Sequence, residues 1–319
     1  MFAVIPVLGH AQGTPQGTGD QGKVPVFRKN VSLVNVLFTV KDKHNALIPG
    51  LNKDQFDLFE EGKPQTIKYF SAESDQPLTL GLMIDTSYSM NRMLPEEKVV
   101  AGGFLQKVVT PKDLAFVVSF DVSVDLLQDL TSDMHLLRKG LDKARINTNT
   151  VGMTPMGNPG PVPTTRQNQG TLLFDGVYLG ADEVLSKQTG RKAMVVLTDG
   201  EDQGSKLKLR DAIEAAQKAD VVTYVLLISD PQFQSNYGDM SKLSEQTGGR
   251  IIVVNKPDNL DKAFAEIAAE LRSQYSIAYT STDTKNDGRF RHLEIKSKDG
   301  YKIQSRKGYY APTETTASQ

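Results

Sequence analysis

The stretch "PLTLGLMIDTSYSM", residues 77 to 90, decides the fold. Its first half is an apolar run from Leu78 to Ile84 with no polar alternation. Such a run suits a strand covered on both faces, which calls for parallel strands joined by helices. Its second half sets Asp85, Ser87 and Ser89 at every second position just past the strand end. Working outward, similar runs recur in "DLAFVVSF" (113–120), "KAMVVLT" (192–198), "VVTYVLLI" (221–228) and "RIIVV" (250–254). "VDLLQDL" (124–130) reads as a short edge strand hairpinned to "DLAFVVSF". Helical patterns are expected between these runs, over roughly 95–109, 133–144, 172–187, 206–219, 239–247 and 259–274. The last carries Leu260, Phe264, Ile267 and Leu271 on one face, with Asp258 as expected N-cap and Asp261 in the first turn. The fold class is therefore α/β, with a doubly wound, mostly parallel sheet.

Both ends of the chain have a different character. "VSLVNVLFTV" alternates Val34, Val36, Phe38 and Val40 on one face. "QFDLFEEGKPQTIKYF" reads as two short strands around a turn at Gly62. Near the other end, "YSIAYTS", "RHLEIKS" and "YKIQSRKGYY" read as strands, with Asp287-Gly288 at the tip of a turn. Each set has an apolar face in need of a partner. The expected organisation is one small β-sandwich built from both chain ends, 27–76 and 273–311, with the α/β domain, 77–272, inserted between them. Residues 312–319 are expected to be a disordered tail. Residues 147–170, "NTNTVGMTPMGNPGPVPTTRQNQG", are a long loop dense in Gly, Pro, Asn and Thr, ending directly at Thr171.

Composition limits the chemistry. Lys+Arg 37 against Asp+Glu 38 gives a formal net charge of -1, no footprint for nucleic acid or an anionic membrane. No run reaches the roughly 18 apolar residues of a membrane-spanning helix. Cysteine is absent, which excludes disulfides, thiolate metal sites and a cysteine nucleophile. Histidines 10, 44, 135 and 292 are scattered, so any metal is expected to be a hard cation held by oxygen. At the start, "MFAVIPVLGHAQG" has an apolar segment and small residues around Ala11 but no basic head. It reads either as a truncated or mis-started export signal cleaved after Ala11, which points to an exported protein, or as a floppy apolar N-terminus; linker follows to residue 26.

Ligands of open α/β sheets sit beyond the carboxyl ends of the strands. Asp85, Ser87 and Ser89 lie at one such end and Asp199 at another, within "TDGED" (198–202). Thr171, heading the helix after the long loop, can be a third arm. Two carboxylates brought together there repel each other, and a shared divalent cation removes that cost. Mg²⁺ is the first expectation, with Mn²⁺ or Ca²⁺ as alternatives. Five side chains would leave at least one position of an octahedral ion open for an acidic group of a partner.

"DTSYS" (85–89) matches the DxSxS signature of von Willebrand factor type A domains. "QGTLLFDGV" (169–177) and "VVLTDGED" (195–202) resemble that family's other two site loops, in the family's order. The flanking stretches are similar to a bacterial family related to these domains and abundant in Acidobacteria. The resemblance implies a metal-ion-dependent adhesion site, abbreviated MIDAS. In it Ser87 and Ser89 would touch the metal directly, and Thr171, Asp85 and Asp199 directly or through water. With no catalytic base in the set, the expectation is a non-enzymatic module binding a protein that offers Asp or Glu.

For any one of these five residues, capping of the following helix or loop is the simpler reading. Asp121, Glu201 and Asp202 could ring the site or merely be solvated. Tyr88 and Met90 could contact a ligand or pack beneath the loop. One alternative is a magnesium-dependent phosphatase-like enzyme using Asp85. It lacks an acid–base residue, because Ser87 stands where the second carboxylate would be. A scaffold with a vestigial site is the other alternative.

Overall fold

The structure, a computed structural model, describes residues 33–72, 76–146, 170–228, 236–256 and 258–313. The expected export signal and linker (1–26), nearly all of the long loop, and most of the expected tail lie outside the described residues.

The apolar runs form one six-stranded sheet. Its members are β5 (Leu78–Asp85), β6 (Leu114–Phe120), β7 (Val124–Thr131), β8 (Arg191–Thr198), β9 (Val221–Ile228) and β10 (Ile251–Val254), the numbering counting the four strands β1–β4 that precede them (below). Their spatial order is β10-β9-β8-β5-β6-β7. All neighbours are parallel except β6 and β7, the hairpin expected from the sequence. β5 and β8 are neighbours although distant in the chain, so the order reverses at β5. That reversal opens the crevice in which doubly wound sheets hold ligands.

Among the described residues six helices cover the sheet: α1 (Leu94–Val108), α2 (Met134–Lys143), α3 (Leu173–Leu179), α4 (Leu209–Lys218), α5 (Tyr237–Thr247) and α6 (Asp258–Arg272). The two-residue period of the strands divides the core cleanly. Leu78, Leu80, Leu82 and Ile84 of β5 pack with α1, α2 and α6. Met83 packs with α3, α4 and α5 on the opposite face. All eight β5 residues are buried, as expected of a strand covered on both sides.

Several helix boundaries differ from expectation. α3 is regular only to Leu179 and continues to Lys187 through a π turn and a 3-10 turn. α4 starts at Leu209 rather than 206, because the Asp175 carboxylate accepts from the backbone N–H groups of Lys206 and Leu207 and holds them outside the helix. Asp258 is the first helical residue rather than the N-cap.

The chain ends supply two four-stranded antiparallel sheets. β1 (Leu33–Lys41), β4 (Ile67–Ala72), β11 (Tyr275–Thr280) and β13 (Lys302–Ser305) form one, in the order β13-β1-β11-β4. β2 (Phe56–Glu60), β3 (Lys63–Gln65), β12 (Phe290–Ser297) and β14 (Gly308–Tyr310) form the other, in the order β14-β12-β2-β3. Val36, Phe38, Leu58, Ile277, Tyr279 and Ile295 share one core between them. The "YKIQSRKGYY" run is not one strand. It breaks at Arg306-Lys307 and contributes β13 and β14 to different sheets. Tyr279 and Tyr309 both donate to the buried Glu60 carboxylate, so Tyr309 helps close this core.

An ion-pair cluster ties β1 to α6 and the α5–β10 turn. The buried Glu270 Oε1 accepts from Lys41 Nζ at 2.9 Å and from Arg250 Nε at 2.7 Å. Removing one member of a buried cluster strands its partners. Glu270→Ala is therefore expected to cost about 3 kcal/mol and to lower the melting temperature by roughly 5–10 °C. A thermal scan showing a loss under 1 °C would mean that water replaces the carboxylate without penalty.

Candidate metal centre

Each expected site residue stands at the carboxyl-terminal edge of the six-stranded sheet or in a loop beside it. Asp85 ends β5 and is fully buried. Both its oxygens already accept hydrogen bonds. Oδ1 takes the backbone N–H of Ser87 at 2.9 Å, and Oδ2 takes the Thr198 hydroxyl at 2.7 Å. Ser87 precedes a short 3-10 turn, Tyr88–Arg92, whose tight winding puts the Ser87 and Ser89 hydroxyls 3.1 Å apart. Met90 is buried under the turn while Tyr88 is 53% exposed, so of these two only Tyr88 is presented to solvent.

Asp199 follows β8 directly. Its Oδ1 accepts the backbone N–H of Glu201 at 3.0 Å, and its buried Oδ2 has no hydrogen-bond partner. Gly200 makes this turn possible. Its φ of 87° is a left-handed conformation, and a Cβ there would crowd Leu227 and Met240 at 3.0 Å.

Thr171 is buried and is fastened through its main chain. Its carbonyl accepts from Gln203 N at 3.2 Å and from Gly204 N at 3.3 Å. Leu172 N donates to the Asp121 carbonyl at 2.8 Å. The Thr86 hydroxyl in turn donates to the Asp121 carboxylate at 2.9 Å. The loops after β5, β6 and β8 and the head of α3 thus form a closed hydrogen-bonded ring around the crevice. Asp121 works as a brace between loops. Asp202 accepts from Phe174 N at 3.3 Å and from the Ser205 hydroxyl at 2.5 Å, and so caps α3.

Electrostatics mark the centre of the ring. Burial, and then the nearby Asp199 carboxylate, push the Asp85 carboxyl up to about 7; hydrogen bonds from Ser87 and Thr198 oppose the rise. Among the described residues no three acidic or histidine side chains gather tightly enough to hold an ion by themselves. The orphaned Asp199 Oδ2, the adjacent serine hydroxyls and the all-oxygen composition fit a hard divalent cation.

Two residues escaped the sequence reading. Thr198 was visible only as part of a strand exit, yet its hydroxyl is the link from β8 to Asp85. Glu97 lies on α1, fully buried, with neither carboxylate oxygen hydrogen-bonded. Its signal was present. Leu94, Glu97, Ala101, Leu105 and Val108 follow helical spacing, which puts an acid on the apolar stripe.

The fold and its crevice define a doubly wound α/β domain with an oxygen-lined site at its sheet edge. A family model for the von Willebrand factor type A domain matches residues 162–266. The match spans Thr171 and Asp199; Asp85, Ser87 and Ser89 precede it. The fold is similar to that of a von Willebrand factor type A protein from Catenulispora acidiphila, at 13% identity and a TM-score of 0.50, over 91% of this chain and 76% of that one. It is also similar to proximal thread matrix protein 1 from the mussel byssus, at 14% identity and a TM-score of 0.50, over 67% of this chain and 51% of that one. This chain therefore spans about half the length of the mussel protein. Another structure of the mussel protein, with a zinc-occupied MIDAS motif, matches at 15% identity and a TM-score of 0.51, over 67% of this chain and 50% of that one. No curated protein sequence matches the chain. Among the described residues no helix is long and apolar enough to cross a membrane.

Proposed function

We propose that the chain is a metal-dependent protein-binding module, for adhesion or assembly, acting in an exported setting. Asp85, Ser87, Ser89, Thr171 and Asp199 would hold the divalent cation, Mg²⁺ first, with Mn²⁺ or Ca²⁺ as substitutes. The single observation that carries the reading is the pairing of a buried Asp85 with an Asp199 oxygen that has no partner. Two carboxylates kept close at a dry strand end cost stability without a counter-ion, and a cation between them returns that cost. Ser87 and Ser89 add neutral oxygens, and the loop ring limits their movement. When bound, the cation supplies an unfilled coordination position to an Asp or Glu of a partner protein. Tyr88, exposed in the same turn, would pack beside that acid as an aromatic anchor. The zinc-occupied MIDAS in the mussel protein shows that similar folds can hold a divalent ion, which supports the reading.

A binding module is favoured over a phosphatase-like enzyme. Asp85 is enclosed and engaged at both oxygens, and Ser87 occupies the place where an acid–base carboxylate would stand. Titration calorimetry tests the proposal directly. Wild type is expected to take up one Mg²⁺ or Mn²⁺, and Asp199→Ala to lose at least tenfold in affinity. Equal and negligible heats for both proteins would refute the metal site. Phosphoester turnover abolished by Asp85→Asn would favour the enzyme instead.

A further inference from the structure

Glu97 stands apart from the five expected ligands. It sits in the first turn of α1, the helix that follows the Ser87–Ser89 turn, and has no solvent exposure. Neither of its oxygens finds a hydrogen-bond donor. Leaving a buried acceptor unmatched costs about 1–3 kcal/mol, and more for a charged group, so natural proteins keep few of them. Packing gives no reason for an acid here, because Leu94, Ala101, Leu105 and Val108 on the same stripe are ordinary core residues. The neighbouring lysine does not neutralise it: Lys98 Nζ donates to the carbonyls of Asp142 and Ala144. What Glu97 does feel is the site. Besides burial, the charges on Asp85 and Asp199 drive its carboxyl well above the usual range. A buried acid whose charged neighbours are the two candidate metal carboxylates is suited to one kind of occupant, a positively charged one.

Glu97, Asp85 and Asp199 do not converge as one ion-holding triplet. A direct bond from Glu97 to the same ion is therefore not the arrangement. Hard cations of the Mg²⁺ type commonly retain several bound waters, each a strong donor that needs an acceptor. Acceptors in that outer layer set metal affinity by about 10–100-fold where they have been altered.

We infer that Glu97 belongs to the metal centre as an outer-layer carboxylate, one that would receive a cation-bound water and add a third negative charge to the site. The inference rests on the metal site proposed above. It makes Glu97 a positioning residue, with no contact to the partner's acid. It also gives the site more negative charge than the five-residue set alone, which favours holding the cation before any acidic partner arrives.

The test uses the full chain and Mn²⁺ alone as probe, with affinity read by calorimetry or by the paramagnetic signal of free Mn²⁺. Glu97→Gln keeps the shape and removes the charge. It is expected to weaken Mn²⁺ binding at least tenfold while leaving the cation-free melting temperature unchanged or higher. Glu97→Asp, which keeps the charge on a shorter stem, is expected to recover part of that loss. A merely structural acid would lower the cation-free melting temperature instead, and Asp would restore no metal affinity. Wild-type binding with Glu97→Gln within twofold of it overturns the Glu97 assignment alone. A wild type that binds no Mn²⁺ removes both this inference and the site beneath it. If Glu97→Gln does not fold, Glu97→Leu carries the same readout in the same volume. Failure of both to fold would show an obligate structural role and also overturn the assignment.

Discussion

Cation-free protein is expected to melt at a higher temperature at pH 5.5 than at pH 8, and saturating Mg²⁺ or Mn²⁺ to reverse that order. The cause is the Asp85 carboxyl, whose folded value of about 7 lies above the ordinary 3.8. A group raised on folding stabilises the fold fully below its unfolded value, and that contribution is lost as pH rises to its folded value. The window is therefore about pH 4 to 7, with a total on the order of 4 kcal/mol and about 2 kcal/mol of it above pH 5.5. Glu97, also raised by burial and by the same two carboxylates, adds to the effect with the same sign. Asp42 and Asp287, held below the usual range by backbone hydrogen bonds, act only at lower pH and do not enter this comparison. With a cation present the sign turns over, because protons then compete with the ion for Asp85 and ligand binding stabilises by mass action. Melting temperatures at pH 5.5 and 8, with and without Mg²⁺, check this. The same slope in both series would mean that no ion reaches Asp85.

Asp85→Asn is expected to separate binding from stability. The substitution removes one of two carboxylates from the site, and the cation affinity should fall by at least about a thousandfold, roughly 4 kcal/mol. The amide still offers one acceptor to the Ser87 N–H or the Thr198 hydroxyl, which now serve the two Asp85 oxygens. It ends the repulsion with Asp199 and Glu97. Cation-free Asp85→Asn should therefore be more stable than wild type at pH 8, by about 1–2 kcal/mol after the lost acceptor is counted. A site that strains the resting fold for the sake of its ligand behaves in this way. Denaturant titration of the two proteins in chelator, beside calorimetry with Mg²⁺, reads both effects. A variant less stable than wild type in chelator at pH 8 would show that Asp85 serves the fold and not an ion.

The doubly wound sheet was legible in the sequence because its signals are local. Continuous apolar runs such as "LTLGLMI" and "VVTYVLLI" can be buried only between two layers of helices, and the helical stripes between the runs say where those layers lie. The strands at the two ends were legible for the same reason: alternation leaves an apolar face that must find a partner. Which strand pairs with which was not legible. The division of "YKIQSRKGYY" between two sheets, with β1 seated between β11 and β13, depends on contacts across more than two hundred residues that no short window contains. The start of α4 was missed because its stop signal, Asp175, lies over thirty residues away.

The candidate site shows the same split. By itself the sequence determined the donor chemistry open to the proposed site: with no cysteine and only scattered histidines, the set proposed above, Asp85, Ser87, Ser89, Thr171 and Asp199, offers only oxygen, which suits a hard cation. Only the tertiary structure decided which groups are dry, paired or stranded. It gave Asp85 its Thr198 partner, turned Asp121 into a brace, left Asp199 Oδ2 unmatched and buried Glu97 with neither oxygen paired. The physical reason is that residue type fixes what an atom can bond to, whereas desolvation and charge repulsion depend on what the rest of the chain places within a few ångströms of it.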